Sequence, residues 1–174
     1  MIRMFSVIMV CAIIISSCSH KYYIVRHAEK QGTTGTATVT NNDPALSEAG
    51  KVRALVLRDE LKTKRVRYIY ATKTVRAIET ATPLSEATGI AIRSYSTRDS
   101  LSEFVRELKT HTRGNVLIVG HSNTVDDIVN QFCGAVKIPG DLPESSYDNI
   151  FIITVKGKKI NFTSHKYGYP SNPD

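Results

Sequence analysis

An arginine and a histidine side by side, Arg26-His27, close the apolar run Tyr22-Tyr23-Ile24-Val25. A guanidinium and an imidazole placed where a strand gives way to a loop can hold a phosphoryl group and attack it. Two more residues fit the same chemistry. Arg76 stands in Thr72-Lys73-Thr74-Val75-Arg76, just after a second strand-like run at 66–71, and His121 stands in Gly120-His121-Ser122-Asn123, just after a third at 116–119. Two arginines and two histidines, each at a strand exit, make a pattern that one such pair alone would not. His20, His111 and His165 occupy no comparable setting.

The segments that must position these residues alternate between strand and helix. Residues 22–25 read as a buried strand, followed by a Thr-rich loop at 32–43 and the turn signal Asp43-Pro44. Ser47 caps a helix running to residue 62, with Val52, Leu55 and Val56 expected to face a core and Lys51, Arg53 and Arg58 to face water. A strand at 66–71 leads into a helix that starts at Lys73 or Thr74, is expected to be kinked or interrupted at Pro83, and ends at the C-cap Gly89. A strand at 90–95 and the capping box Ser100-Leu101-Ser102-Glu103 come next, the box opening a helix with Leu101, Phe104, Val105 and Leu108 as its apolar face. A strand at 115–119, a helix at 124–133 closed by Gly134, and a hairpin of strands at 149–155 and 159–165 complete the chain.

Such alternation predicts an α/β fold: a three-layer sandwich with a mostly parallel central sheet flanked by helices. Ligands of such sheets bind at the carboxyl ends of the strands, so Arg26-His27, Arg76 and His121 are expected to meet at one edge of a single domain at 21–174. The length of 174 residues, 41% hydrophobic and 22% charged, suits one globular domain.

Residues 1–20 stand apart. Arg3 precedes an apolar stretch from Met4 to Ile15, and Ser16 and Ser17 precede Cys18: the layout of a signal peptide at 1–17, with an apolar core too short for the ~20 residues that a spanning helix needs. Ile15-Ser16-Ser17-Cys18 resembles a bacterial lipobox, in which Cys18 carries lipid. The expectation is therefore a membrane-anchored lipoprotein of the cell envelope, held on the outer membrane and facing the periplasm. Cys11 leaves with the signal, so Cys133 alone remains as a thiol and no internal disulfide can form. Removal of Arg3 lowers the formal charge of +7 by one. A basic surface attracts phosphorylated substrates and anionic headgroups. Nucleic acid is not an expected partner, because no basic helix, aromatic stacking platform or zinc-finger spacing accompanies the charge.

Four segments then line up: Val25-Arg26-His27-Ala28-Glu29, Leu46-Ser47-Glu48-Ala49-Gly50, the run from Ala71 to Ala81 (ATKTVRAIETA), and Val119-Gly120-His121-Ser122-Asn123. In this order and spacing, over residues 22–165, the chain resembles the histidine phosphatase superfamily and its phosphoglycerate mutase-like fold. The resemblance implies a phosphatase in which His27 is the nucleophile and forms a phosphohistidine. It implies that Arg26 and Arg76 grip the phosphoryl oxygens and that His121 stabilises the transferring group. No cofactor or metal is implied, and the substrate is a small phosphorylated molecule or a phosphoprotein, as a phosphomonoester or a phosphohistidine.

One piece departs from the family pattern. Many members carry a glutamate after the third strand that protonates the leaving group, whereas here that segment reads Ser94-Tyr95-Ser96-Thr97-Arg98-Asp99-Ser100. Asp99, Glu103, Asp126 and Asp127 are all open as the acid, and a site without one favours good leaving groups. A phosphoglycerate mutase-type phosphotransferase and a non-catalytic phosphate-binding module on the same fold are the alternatives. Phytase-like relatives have an aspartate directly after the second histidine, where this chain has Ser122.

Overall fold

A computed structural model describes residues 19–32, 43–96 and 100–171. In chain order the elements are β1 (Ser19–Arg26), α1 (Glu48–Leu61), β2 (Val66–Ala71), α2 (Val75–Thr88), β3 (Ile92–Ser94), α3 (Leu101–His111), β4 (Asn115–Gly120), α4 (Val125–Cys133), β5 (Asn149–Lys156) and β6 (Lys159–Lys166). One six-stranded sheet runs in the order β3-β2-β4-β1-β5-β6. The first four strands in that order are parallel, and β5 and β6 join antiparallel as a hairpin. The fold class expected from alternation is the one found, with a mixed sheet between two helical layers.

The apolar runs of the central strands explain the layering. Along β1, Tyr22 and Ile24 join Ile118, Phe151, Val105, Ile128 and Phe132 in one core, beneath α3 and α4. Tyr23 and Val25 join Leu117, Val119, Leu57, Ala81 and Leu84 in a second core, beneath α1 and α2. A strand covered on both faces needs apolar residues at every position, which is why β1 and β4 read as continuous runs rather than alternating ones. Each of the Val, Leu, Ile and Phe side chains among them contributes about 1.5–3 kcal/mol by leaving water.

Chain direction then decides where the site falls. β4 returns from the β3 edge and inserts between β1 and β2, with Arg26 opposite Gly120 and Ala71 opposite Val119. The carboxyl ends of these three strands therefore finish level with one another.

Several local expectations need correction. α1 buries Gly50, Arg53, Ala54, Leu57 and Leu61, while Val52 and Leu55 are 46% and 42% exposed. Arg53 faces inward because Glu29 and two carbonyls near the end of the chain take its charge. The capping box does not form: Ser100 makes no side-chain cap, and Glu103 pairs with Arg106 instead. Pro83 lies inside an unbroken α2. The third strand keeps three residues at the sheet edge, and just beyond it the Tyr95 N–H still donates to the Ala71 carbonyl of β2. The signal segment, the Thr-rich loop and Asp99 lie outside the described residues, among which no helix is long and apolar enough to cross a membrane.

Candidate active site

His27 is the first residue beyond β1. Its N–H donates to the Gly120 carbonyl at 2.9 Å, so the histidine is locked to the end of β4. Its Nδ1 lies 2.8 Å from the Ala28 carbonyl, an oxygen that can only accept, which assigns the ring proton to Nδ1. Nε2 keeps its lone pair, and Arg76 confirms the polarity by donating Nε–H to it at 3.1 Å. Burial, aided by the charges of His121, Arg26 and Arg76, lowers the His27 pKa to about 3, against the opposing pull of the Ala28 carbonyl. The ring is thus neutral across the physiological range, with an unprotonated Nε2.

His121 leaves β4 beside it, with ring centroids 5.3 Å apart. The Arg76 guanidinium approaches its Nδ1 at 3.5 Å, and its Nε2 lies 2.9 Å from the Thr72 hydroxyl, which passes the chain of contacts on to Thr74. Burial first, then Arg76 and Arg26, lowers its pKa to about 4. Arg76 therefore touches both histidines, and its NH1 is held by Asp43 at 3.1 Å. It arrives from the first turn of α2, and Thr80 one turn later explains how that turn is placed. The buried Thr80 hydroxyl accepts the Ala28 N–H at 2.9 Å and donates to the Arg76 carbonyl at 2.7 Å.

Arg26 is 2% exposed and turns toward the connector before β5. NH1 donates to the carbonyls of Pro143 and Glu144 at 2.8 and 3.0 Å, and NH2 donates to the Glu144 carboxylate at 2.9 Å. The Tyr147 ring covers the guanidinium at 4.2 Å. Only Nε lacks a partner among the described residues. Arg26, His27, Arg76 and His121 nevertheless line one cleft of about 310 Å³, together with Lys30, Ser122, Asn123, Asp141 and Glu144. A larger cavity of about 570 Å³ opens on the far side of Tyr147, between Val52, Val56 and Tyr169, and contains none of the four.

Sequence reasoning missed the carboxylates that matter. Glu103, Asp126 and Asp127 do not line the cleft, and Asp126 is buried in the first turn of α4. Glu144 does line it, accepting from Ser122 at 3.1 Å and from Arg26. Burial would raise its pKa, but Arg26, Ser122 and Lys30 hold the carboxyl below the usual range. Ser122 is tied to Glu144, and Thr124 occupies the N-cap position of α4. Lys73 is exposed and outside the cleft.

Behind the cleft, Glu29 pairs with the buried Arg53 at 2.6 Å. Arg53 also donates to the carbonyls of Tyr167 and Tyr169, each at 3.0 Å. The Glu29 backbone packs so closely on α1 that a Cβ at Gly50 would sit 2.1 Å from its carbonyl oxygen. Gly50 in the Leu46–Gly50 motif is there for that contact. Cys133 packs partly buried against the first core, and burial raises its thiol pKa.

Residues 22–104 match the family model of the histidine phosphatase superfamily (branch 1). Solved structures agree on the fold. YhfR of Bacillus stearothermophilus is 19% identical with a TM-score of 0.63, over 82% of this chain and 94% of its own. The protein histidine phosphatase SixA, complexed with tungstate, is 15% identical with a TM-score of 0.61, over 84% and 96%. A mycobacterial glucosyl-3-phosphoglycerate phosphatase is 15% identical with a TM-score of 0.57, over 86% and 98%. No curated protein matches the sequence.

Proposed function

We propose that the protein is a phosphatase that transfers a phosphoryl group to Nε2 of His27 and then to water. The observation that carries this reading is the fixed tautomer of His27: Nδ1–H bound to the Ala28 carbonyl and the Nε2 lone pair facing Arg76. Nε2 attacks phosphorus while the bond to the leaving oxygen or nitrogen breaks. Water then attacks the phosphohistidine, releasing phosphate and restoring the neutral ring. Arg76 and His121 stand where charge develops on the phosphoryl oxygens, and positioning with charge neutralisation is the main contribution in such transfers.

Arg26 serves the same group once a phosphoryl oxygen displaces the Glu144 carboxylate, since both anions use the same guanidinium edge. Glu144 is ionised at neutral pH and so is not a proton donor as it stands. That favours substrates whose leaving group departs without strong acid help, a phosphohistidine protein before an alkyl phosphate. The naming of SixA as a protein histidine phosphatase supports the same choice.

The purified chain is expected to hydrolyse para-nitrophenyl phosphate in excess chelator, and a phosphohistidine peptide faster than glycerol phosphate. An acid-labile, base-stable phosphoryl label should map to His27 by mass spectrometry. Tight phosphate binding with no turnover would instead support the binding module, and transfer to an added phosphoglycerate the mutase. We further propose that Cys18 carries lipid and fixes the protein to the envelope membrane. Cys18→Ala should release it from membranes, and unchanged attachment rejects the anchor.

A further inference from the structure

The sheet has a second edge, at the amino ends of the parallel strands, and its charge is one-sided. Three turns meet there: the α1–β2 turn at 62–65, the α3–β4 turn at 112–114 and the β5–β6 hairpin at 156–159. They carry Lys64, Arg65, Arg113, Lys156, Lys158 and Lys159, all exposed, and none of the three contains an acidic residue. None of these six cations makes an ion pair with a described residue. Asp59 and Glu60 end α1 nearby, but Asp59 is already held by Arg58 and Lys62.

The turns form one continuous surface. Ser19 lies opposite Lys156, and Lys156 opposite Lys159. The Asn115 side chain accepts the Lys21 N–H at 2.8 Å and donates to the Lys64 carbonyl at 2.6 Å, joining β1 to the α1–β2 turn. The N-terminal segment enters the domain at this same edge: β1 starts at Ser19, one residue after Cys18. An acyl chain on Cys18 would have no tether, and the edge would lie against the headgroups.

We infer that this basic edge docks on an anionic lipid surface and turns the catalytic cleft away from the bilayer. The inference rests on the anchor reading for its geometry and on charge complementarity for its partner. A basic patch beside a lipid anchor adds electrostatic attraction to anionic headgroups and so sets how the anchored domain sits on the surface. Each lysine or arginine near an anionic surface strengthens binding by about fivefold, and the effect is lost within a Debye length. β1 crosses the whole sheet, so its far end stands roughly 23 Å from the headgroups by strand rise. The cleft therefore opens to substrates in the aqueous space and not to lipids of the supporting leaflet.

The test uses the full chain isolated from membranes and mixed with two kinds of vesicle, phosphatidylcholine alone or phosphatidylethanolamine with phosphatidylglycerol. Acetylation rates of single lysines are read by mass spectrometry. Lys158 and Lys159 are expected to react at least about fivefold more slowly on the anionic vesicles than on the neutral ones, with Lys73 unchanged and the difference removed by molar salt. Combined Lys156→Glu, Lys158→Glu and Lys159→Glu should abolish the remaining edge difference at Lys64 while hydrolysis of para-nitrophenyl phosphate, which reports folding, stays the same. A chain held on both vesicles with equal lysine reactivity keeps the anchor and overturns this inference. A chain held only on anionic vesicles keeps the edge and sinks the anchor, and a chain held on neither overturns both. Protection by a DNA duplex but not by anionic vesicles reassigns the edge to nucleic acid and also overturns it.

Discussion

The two edges of this sheet use charge in opposite ways. At the carboxyl edge Arg26, Arg53 and Arg76 each hold a carboxylate, and the buried His27 and half-buried His121 are held neutral. At the amino edge six cations stand in water with no ion-pair partner among the described residues. Paired and desolvated charges fix geometry, because moving one exposes its partner to an apolar surrounding. Solvated charges fix nothing locally but sum to a field that acts on a large partner. Substitutions at the first edge should therefore damage chemistry or folding, and substitutions at the second should do neither.

The largest expected effect breaks the comparison at its strongest point. His27→Ala should cut turnover of para-nitrophenyl phosphate by about a thousandfold or more, since no other described group offers a lone pair at that place. Lysine protection on anionic vesicles should remain as before. Arg53→Met should cost about 3 kcal/mol in denaturant unfolding, because Glu29 is left without its partner. A loss below about 1 kcal/mol would show that this pair behaves like a surface contact.

Acid should act through the histidines next. His27 and His121 have native pKa values lowered to about 3 and about 4 from 6.5. The unfolded chain then binds protons that the native one refuses, so stability is full above pH 6.5 and falls as pH drops toward 4. The slope is about 1.4 kcal/mol per pH unit for each histidine within that window. His121→Ala should remove its share of the slope, as read by melting temperature against pH. The acid limb of kcat/KM for the free enzyme should correspondingly lie below pH 5.

Glu144→Gln should tighten phosphate inhibition by several-fold, because the amide competes for Arg26 less well than the carboxylate does. Weaker inhibition would mean that Glu144 helps to hold the anion. The smallest expected effect is at the other edge, where the triple glutamate substitution should change turnover of a soluble substrate by less than about twofold.

Much of this was legible from residue types because the strand exits carry the chemistry. Arg26-His27, Arg76 and Gly120-His121 end level because β4 inserts between β1 and β2, and strand alternation alone predicts the sheet edge they share. Arg53 was misread for a physical reason. Its helical neighbours Val52 and Val56 look like a core face, and its acceptors at Tyr167 and Tyr169 lie more than a hundred residues away along the chain. Glu144 gave no signal, since the connector between α4 and β5 has neither periodicity nor a motif. Asp43 read only as a turn residue, although its carboxylate also receives the Val75 N–H and meets Arg76.

The contact between Arg53 and the chain beyond β6 has a consequence for biogenesis. Glu29 sits two residues from His27, and the guanidinium that holds it is itself held by the carbonyls of Tyr167 and Tyr169. Ser171 adds a clasp of its own, accepting from the Tyr147 N–H and donating its N–H to Asp148. The loop that carries His27 is thus assembled from the start of the chain but secured by its far end. A nascent or prematurely terminated polypeptide that stops before Tyr167 lacks that clasp, so the loop around His27 is expected to settle only after translation has passed Ser171.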